Sequence, residues 1–413
     1  MKRKIACAFL LIALTFSMSS CFLLRNLGLQ YDTPGETVAG DTYVTVEEVK
    51  DYGDIVINSN QSSDILAASK ALLSSVSISA IFTKKNANSS GLKEYYAMGS
   101  GVIYKMDKKN GDAYIITNYH VVYDSAANTT NRISNEINVY LYGQEFADYA
   151  IPATYVGGSM QCDIAVLKVK GSTVLMKSNA VAASFANSDD IAVLETAIAV
   201  GNPEGNGISA TVGHVNVDSE YITMLGSDNK TSIELRVIRT DAAVNSGNSG
   251  GGLFNAKGEL IGIVNAKVAD TSVDNIGYAI PSNVAKYFTQ NIIDFCDGTA
   301  KETPYRCYVG IMVQNAEAYT VIDEQTGKIR KMEKVSVKSL ADKTHAKGVL
   351  EEGDVITAIT IDGKKYEVTR LFHVTDNMLN ARPGSSVVFH VIRDGKAIET
   401  KLTMTDNMLE PYN

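Results

Sequence analysis

The chain has 413 residues, 45% of them apolar and 20% charged, and a formal charge of −8. At about 150 residues per domain the length predicts two or three folded units, and the composition is that of a soluble globular protein rather than a disordered or multi-span membrane one. Nucleic acid is a poor partner for an acidic chain with no Lys/Arg cluster interleaved with aromatics, because phosphate binding needs a basic face.

The first element is a targeting segment, residues 1–20: basic Lys2-Arg3-Lys4, the apolar run Ile5 to Met18, then Ser19-Ser20. This small pair ahead of Cys21 resembles a bacterial lipoprotein cleavage site, where the thiol is acylated and the chain is cut just before it, although Met18 stands where Leu is usual. The alternative is an uncleaved signal anchor running on through Phe22, Leu23 and Leu24, a reading weakened by Ser17, Ser19 and Ser20. Lipidation at Cys21 predicts a protein of the bacterial cell envelope, held on the membrane and facing away from the cytoplasm. Residues 21–65 then read as a lipidated cysteine and flexible tether of Gly, Asn, Ser, Asp and Thr, interrupted by the alternating run Tyr43-Val44-Thr45-Val46.

Order is expected from Asp64, where Ser63-Asp64 caps a short helix through Leu73, followed by a strand over Val76 to Phe82. From there to about residue 280 the pattern is all-β. Short apolar or alternating runs recur at Gly101 to Tyr104, Tyr114 to Thr117, Ile137 to Tyr142, Ile164 to Val169, Ala197 to Val200, Ile233 to Ile238 and Leu260 to Val264. Strands without intervening helices predict antiparallel sandwiches or barrels rather than a doubly wound sheet. Val284, Tyr287, Phe288 and Ile292 have helical spacing and predict a boundary helix over Asn283 to Phe295, ahead of a small α+β unit at 305–405. Cys162 reads as a small buried hydrophobe, whereas Cys296 and Cys307 can pair in an oxidising compartment. No CxxC or His/Cys cluster has metal-binding spacing, so neither metal nor cofactor is expected.

The strongest chemical signal is Thr240 to Gly251, ending Asn245-Ser246-Gly247-Asn248-Ser249-Gly250-Gly251. A serine hydroxyl needs a base to take its proton and backbone N–H groups to hold the developing oxyanion. Gly247 lets the loop turn its amides inward, and Gly250-Gly251 are read as leaving room for a substrate backbone. The segment also fits the G-x-S-x-G elbow of another hydrolase class, but an elbow runs strand, serine, helix. Here the serine precedes a hairpin with its turn at Asn255 to Gly258. The base is suggested by Ile115-Ile116-Thr117-Asn118-Tyr119-His120, a β run ending in histidine, and the orienting acid by Cys162-Asp163 at the mouth of the strand Ile164 to Val169. His120, Asp163 and Ser249 occur in the chain order of a trypsin-like triad. Ala243, six before the nucleophile, takes the position that resembles the base of the trypsin-like specificity pocket. It carries no carboxylate to attract Lys or Arg.

With these residues in place the chain resembles the HtrA/Deg family of serine proteases. Met98-Gly99-Ser100-Gly101-Val102-Ile103, the His120 and Asp163 segments, Ala199-Val200-Gly201-Asn202-Pro203, Thr240 to Gly251 and Gly277-Tyr278-Ala279-Ile280-Pro281-Ser282 match its motifs in order. Ser246 and Gly252 stand where the family usually has Pro. The resemblance implies two six-stranded β-barrels over residues 66–290 with the active site between them, an oxyanion hole from the Gly247 and Ser249 amides, ATP independence and a homotrimer. The unit at 305–405 resembles the family's PDZ domain: Tyr308, Val309, Gly310 and Ile311 match its peptide-carboxylate segment, and Gly348 to Ile356 and Arg382-Pro383-Gly384 its later turns. Such a domain accepts a peptide strand on an open sheet edge.

The function expected from this reading is endoproteolysis of unfolded or damaged proteins outside the cytoplasm. A narrow signalling protease of one membrane partner and a non-enzymatic chaperone or scaffold are the alternatives. The intact triad argues against the scaffold.

Overall fold

The computed structural model describes residues 63–85, 91–145, 147–268, 276–296, 298 and 301–412. The targeting segment, Cys21 and the tether up to residue 62 therefore lie outside the described residues. Helix α1 (Ser63–Ser74) leads into β1 (Ser75–Lys85), with β2 (Leu92–Asp107), β3 (Asp112–Thr117), the single-turn α2 (Tyr119–Val122), β4 (Glu136–Leu141), β5 (Ile151–Ser159) and β6 (Ile164–Val169) following. These strands form a closed barrel in the order β1-β2-β3-β6-β5-β4, sealed where β1 pairs antiparallel with β4.

The short α3 (Thr173–Lys177) ends this half. A second closed barrel, ordered β10-β11-β12-β9-β8-β7, is built from β7 (Thr196–Gly201), β8 (Ser209–Leu225), β9 (Ser232–Thr240), β10 (Gly252–Phe254), β11 (Leu260–Val264) and β12 (Gly277–Pro281). The expected strand over Ile164 to Val169 and the hairpin turn at Asn255 to Gly258 both form, the turn closed by Gly258 N–H donating to Asn255 O at 2.9 Å.

Helix α4 (Ser282–Phe295) explains how the barrels hold together. Its Val284, Phe288 and Ile292, spaced three to four residues apart and so on one face, join Ile164 and Val166 of the first barrel and Ile263 and Ile280 of the second in one buried cluster. Leu379 from the following unit enters the same cluster.

That unit begins with β13 (Tyr305–Cys307) and continues through β14 (Ile311–Ile322), β15 (Ile329–Leu340), β16 (Val355–Ile361), β17 (Lys364–Glu367), α5 (Phe372–Met378), β18 (Ser386–Arg393), β19 (Lys396–Thr403) and β20 (Leu409–Pro411). Its main sheet is ordered β14-β15-β16-β18-β19, with β17 on β16, while β13 and β20 make a separate ribbon. Val374 and Met378 of α5 pack onto Ile356, Ile359, Val387 and Phe389. The β14–β15 hairpin reaches the second barrel, where Lys328 pairs with Glu195 and Arg330 with Asp190. Cys296 lies against Gly157 and Cys307 in the second unit's core, and no disulfide joins them. Among the described residues no helix is long and apolar enough to cross a membrane.

Candidate active site

Three loops bring the chemistry together. The β3 strand stops at Thr117, and His120 sits in the helical turn α2 rather than at the end of the strand. Asp163 occupies the turn before β6 with φ 49, a left-handed conformation that a non-glycine residue adopts at a cost of about 1–2 kcal/mol. The turn is tied to α2. Asp163 O accepts from Tyr119 N–H at 3.2 Å and from Asn118 Nδ2 at 2.9 Å, and Asp163 Oδ1 accepts from His120 N–H at 3.0 Å. The other oxygen, Oδ2, meets His120 Nδ1 at 2.7 Å, the arrangement that fixes one tautomer with the proton on Nδ1.

Sequence reasoning missed Asn265. Immediately after β11, its Nδ2 donates to Asp163 Oδ2 at 2.8 Å, and it is fully buried. The next residue completes a link to Ser249, since Ala266 N–H donates to Ser249 Oγ at 3.2 Å. In this arrangement the Ser249 hydroxyl is held by that amide, and no hydrogen bond joins it to the imidazole. An asparagine after a strand is commonly a turn former, so nothing in the sequence singled it out.

The loop that carries Ser249 is pinned by Ser100. Its Oγ donates to Gly247 O at 2.7 Å and accepts from Asn202 N–H at 2.8 Å, while its own N–H donates to Ser249 O at 2.8 Å. Ser246 O accepts from Glu204 N–H at 2.9 Å, which turns that carbonyl toward the Asn202-Pro203 loop. Among the described residues no backbone carbonyl accepts from the N–H of Gly247 or Ser249. These are the donors an oxyanion requires.

The glycines have a different reason from the one expected. A Cβ on Gly250, whose φ is 84, lies 2.2 Å from Ser100 O, and one on Gly251 lies 2.2 Å from Val200 O. They admit neighbouring backbone. Gly252 has no room either, because the Phe254 ring stands 2.2 Å from where its Cβ belongs. Ala243 is exposed, and its carbonyl accepts from Thr211 Oγ1 at 3.0 Å.

Beside Asp163, Cys162 is buried, and burial pushes its thiol up to about 12. Burial lowers the pKa of Lys267, whose Nζ donates to Gly226 O at 2.6 Å. Among the described residues no cluster of His, Cys, Asp or Glu has metal-ligand geometry. Tyr308, Val309, Gly310 and Ile311 line a cavity of about 260 Å³ together with Val374 and Met378 of α5.

The likeness to known proteins agrees with this geometry. A family model of the trypsin-like peptidase domain matches residues 99–263. Over 346 residues the chain is 33% identical to the serine protease Do-like HtrA of Bacillus subtilis (strain 168), an alignment covering 80% of this chain and 68% of that protein. It is also 33% identical over 317 residues to the periplasmic pH-dependent serine endoprotease DegQ of Escherichia coli (strain K12), covering 75% of this chain and 60% of DegQ, less than two thirds of that relative. A solved structure of the HtrA-type protease AlgW with a decapeptide aligns with a TM-score of 0.50 at 25% identity, over 84% of this chain and 98% of that one. The chain belongs to the HtrA family of trypsin-like serine proteases.

Proposed function

We propose that this protease is an ATP-independent endopeptidase that cleaves unfolded or damaged proteins outside the cytoplasm, held on the membrane by lipid at Cys21 and assembled as a homotrimer. The observation that carries the catalytic reading is the continuous path from His120 through Asp163 and Asn265 to the Ser249 loop. Ser249 Oγ attacks the scissile carbonyl while His120 takes its proton, and the Gly247 and Ser249 amides hold the oxyanion. His120 then gives that proton to the leaving amine. Water then attacks the acyl-enzyme carbonyl while His120 takes its proton, and His120 returns that proton to Ser249 Oγ as the acyl C–O bond breaks.

Asp163 keeps the imidazole in the productive tautomer and stabilises its protonated form. The cavity formed by Tyr308 to Ile311 supports a PDZ-type site for C-terminal or extended peptides, since β14 is the edge strand of its sheet. AlgW, solved with a decapeptide, is a relative for which a peptide complex exists.

The test compares unfolded casein with defined single peptides. Broad cleavage of casein supports the quality-control reading, whereas an enzyme that spares casein and cuts one membrane partner contradicts it. For the anchor, Cys21→Ser should release the protein from the membrane or leave it unprocessed; a wild-type protein secreted without lipid contradicts that part.

A further inference from the structure

We propose that Tyr412 is a positioning residue for the catalytic acid: from the wall of the second unit's groove it holds Cys162, and through Cys162 the turn that presents Asp163 to His120. The proposal rests on the triad reading above. A left-handed aspartate persists only where its surroundings over-determine it. On the side of α2, that support is the set of bonds to Asn118, Tyr119 and His120.

The other side is held by the neighbouring residue. Cys162 packs in the cluster of Val284, Phe288, Ile292 and Leu379, and Tyr412 packs against the same cluster. The Tyr412 ring meets Phe288 edge-on with centroids 5.0 Å apart, and the Arg306 guanidinium lies over its face at 4.8 Å. The Tyr412 hydroxyl lies close enough to the Cys162 thiol for the two groups to influence each other's ionisation.

The ribbon of β13 and β20 aims Tyr412 there. Arg306 pairs with Glu410 in its register, and Tyr412 N–H donates to Pro304 O at 2.9 Å. Arg306 and Tyr412 also line the 260 Å³ cavity beside Tyr308 and Ile311. One side chain therefore touches both the groove and the residue next to the catalytic acid.

If Tyr412 holds the turn, loosening it moves the Asp163 carboxylate from the imidazole. His120 then loses basicity as well as its preferred tautomer, so the acid limb of activity must move to lower pH as the rate falls. A merely structural contact lowers the folded fraction and leaves that limb where it was.

The experiment measures fluorophosphonate labelling and kcat/KM against pH for wild type, Tyr412→Ala, Tyr412→Phe, Cys162→Ala and the Tyr412→Phe/Cys162→Ala double variant, with circular dichroism on each. Tyr412→Ala should label about tenfold more slowly, with kcat reduced more than KM is raised and the acid limb displaced downward. Tyr412→Phe keeps the ring packing, so it remains testable if the alanine variant unfolds. It should show a smaller effect of the same kind, not additive with Cys162→Ala. An unmoved acid limb in folded Tyr412→Phe and Tyr412→Ala, or strict additivity with Cys162→Ala, overturns the proposal. Failure of the triad itself is separate: it appears as labelling that survives Ser249→Ala.

Discussion

Asn265 Nδ2 and His120 Nδ1 share one oxygen of Asp163, Oδ2, at 2.8 and 2.7 Å. The carboxylate is thereby clamped between a neutral donor and the imidazole it orients. A hydrogen bond to a charged group is worth about 1.5–3 kcal/mol. Asn265→Ala should therefore lower kcat by about 10–100-fold with KM little changed. Steady-state kinetics on a peptide substrate check this; a folded Asn265→Ala with wild-type kcat rejects the clamp.

Gly250→Ala puts a methyl group 2.2 Å from Ser100 O on a backbone with φ 84. Neither the clash nor the backbone strain, of about 1–3 kcal/mol, can relax without moving Ser249. The expected outcome is a lower Tm together with loss of fluorophosphonate labelling. An alanine variant that labels at the wild-type rate shows the loop to be less confined than its contacts indicate.

Ala243→Asp should turn a preference for small or medium aliphatic residues before the scissile bond toward Lys and Arg, by at least about tenfold in relative kcat/KM. Peptide-library profiling of wild type and variant reads this directly. An unchanged profile in a folded, active variant removes Ala243 from the specificity pocket.

Two groups of α5 titrate oppositely where it meets the second barrel. Burial pushes the Asp376 carboxyl up to about 6 even though Arg236 Nε stands 3.2 Å away, and burial pushes His373 down to about 4. The contribution of Asp376 is present while it is protonated and is lost as pH rises through about 6. That of neutral His373 is present above the ordinary histidine range and is lost as pH falls toward about 4. Asp376→Asn removes only the first effect. Relative to wild type, it should gain about 2–3 kcal/mol in stability between about pH 3.5 and about pH 6.5, the interval between the ordinary carboxyl range and the raised value. Parallel Tm curves for the two proteins contradict the assignment.

The barrel strands were legible where both faces are buried, as in Ile164 to Val169, because a continuous apolar run needs no partner to be recognised. The seventeen-residue β8 (Ser209–Leu225) was not, since register shifts between Val215 and Glu220 break its alternation. His120, Asp163 and Ser249 were singled out as candidates by their local motifs. Their supports were not: Ser100 and Asn265 act through hydrogen bonds to residues far along the chain. The packing reason for Gly250-Gly251 was not legible for the same reason, because the atoms that exclude a side chain belong to Ser100 and Val200. The possible pairing of Cys296 with Cys307 is not made; the two thiols belong to different packing environments.

The most direct measurement of the central claim is casein cleavage and fluorophosphonate labelling by wild type and Ser249→Ala, with circular dichroism to show that both are folded. Wild type should label on a single serine and degrade casein. Ser249→Ala should do neither beyond a trace, with kcat lower by about 10⁶-fold and little further loss when His120→Ala is added, because the residues act as one unit. A folded Ser249→Ala that still cleaves casein at a rate comparable to wild type contradicts the account.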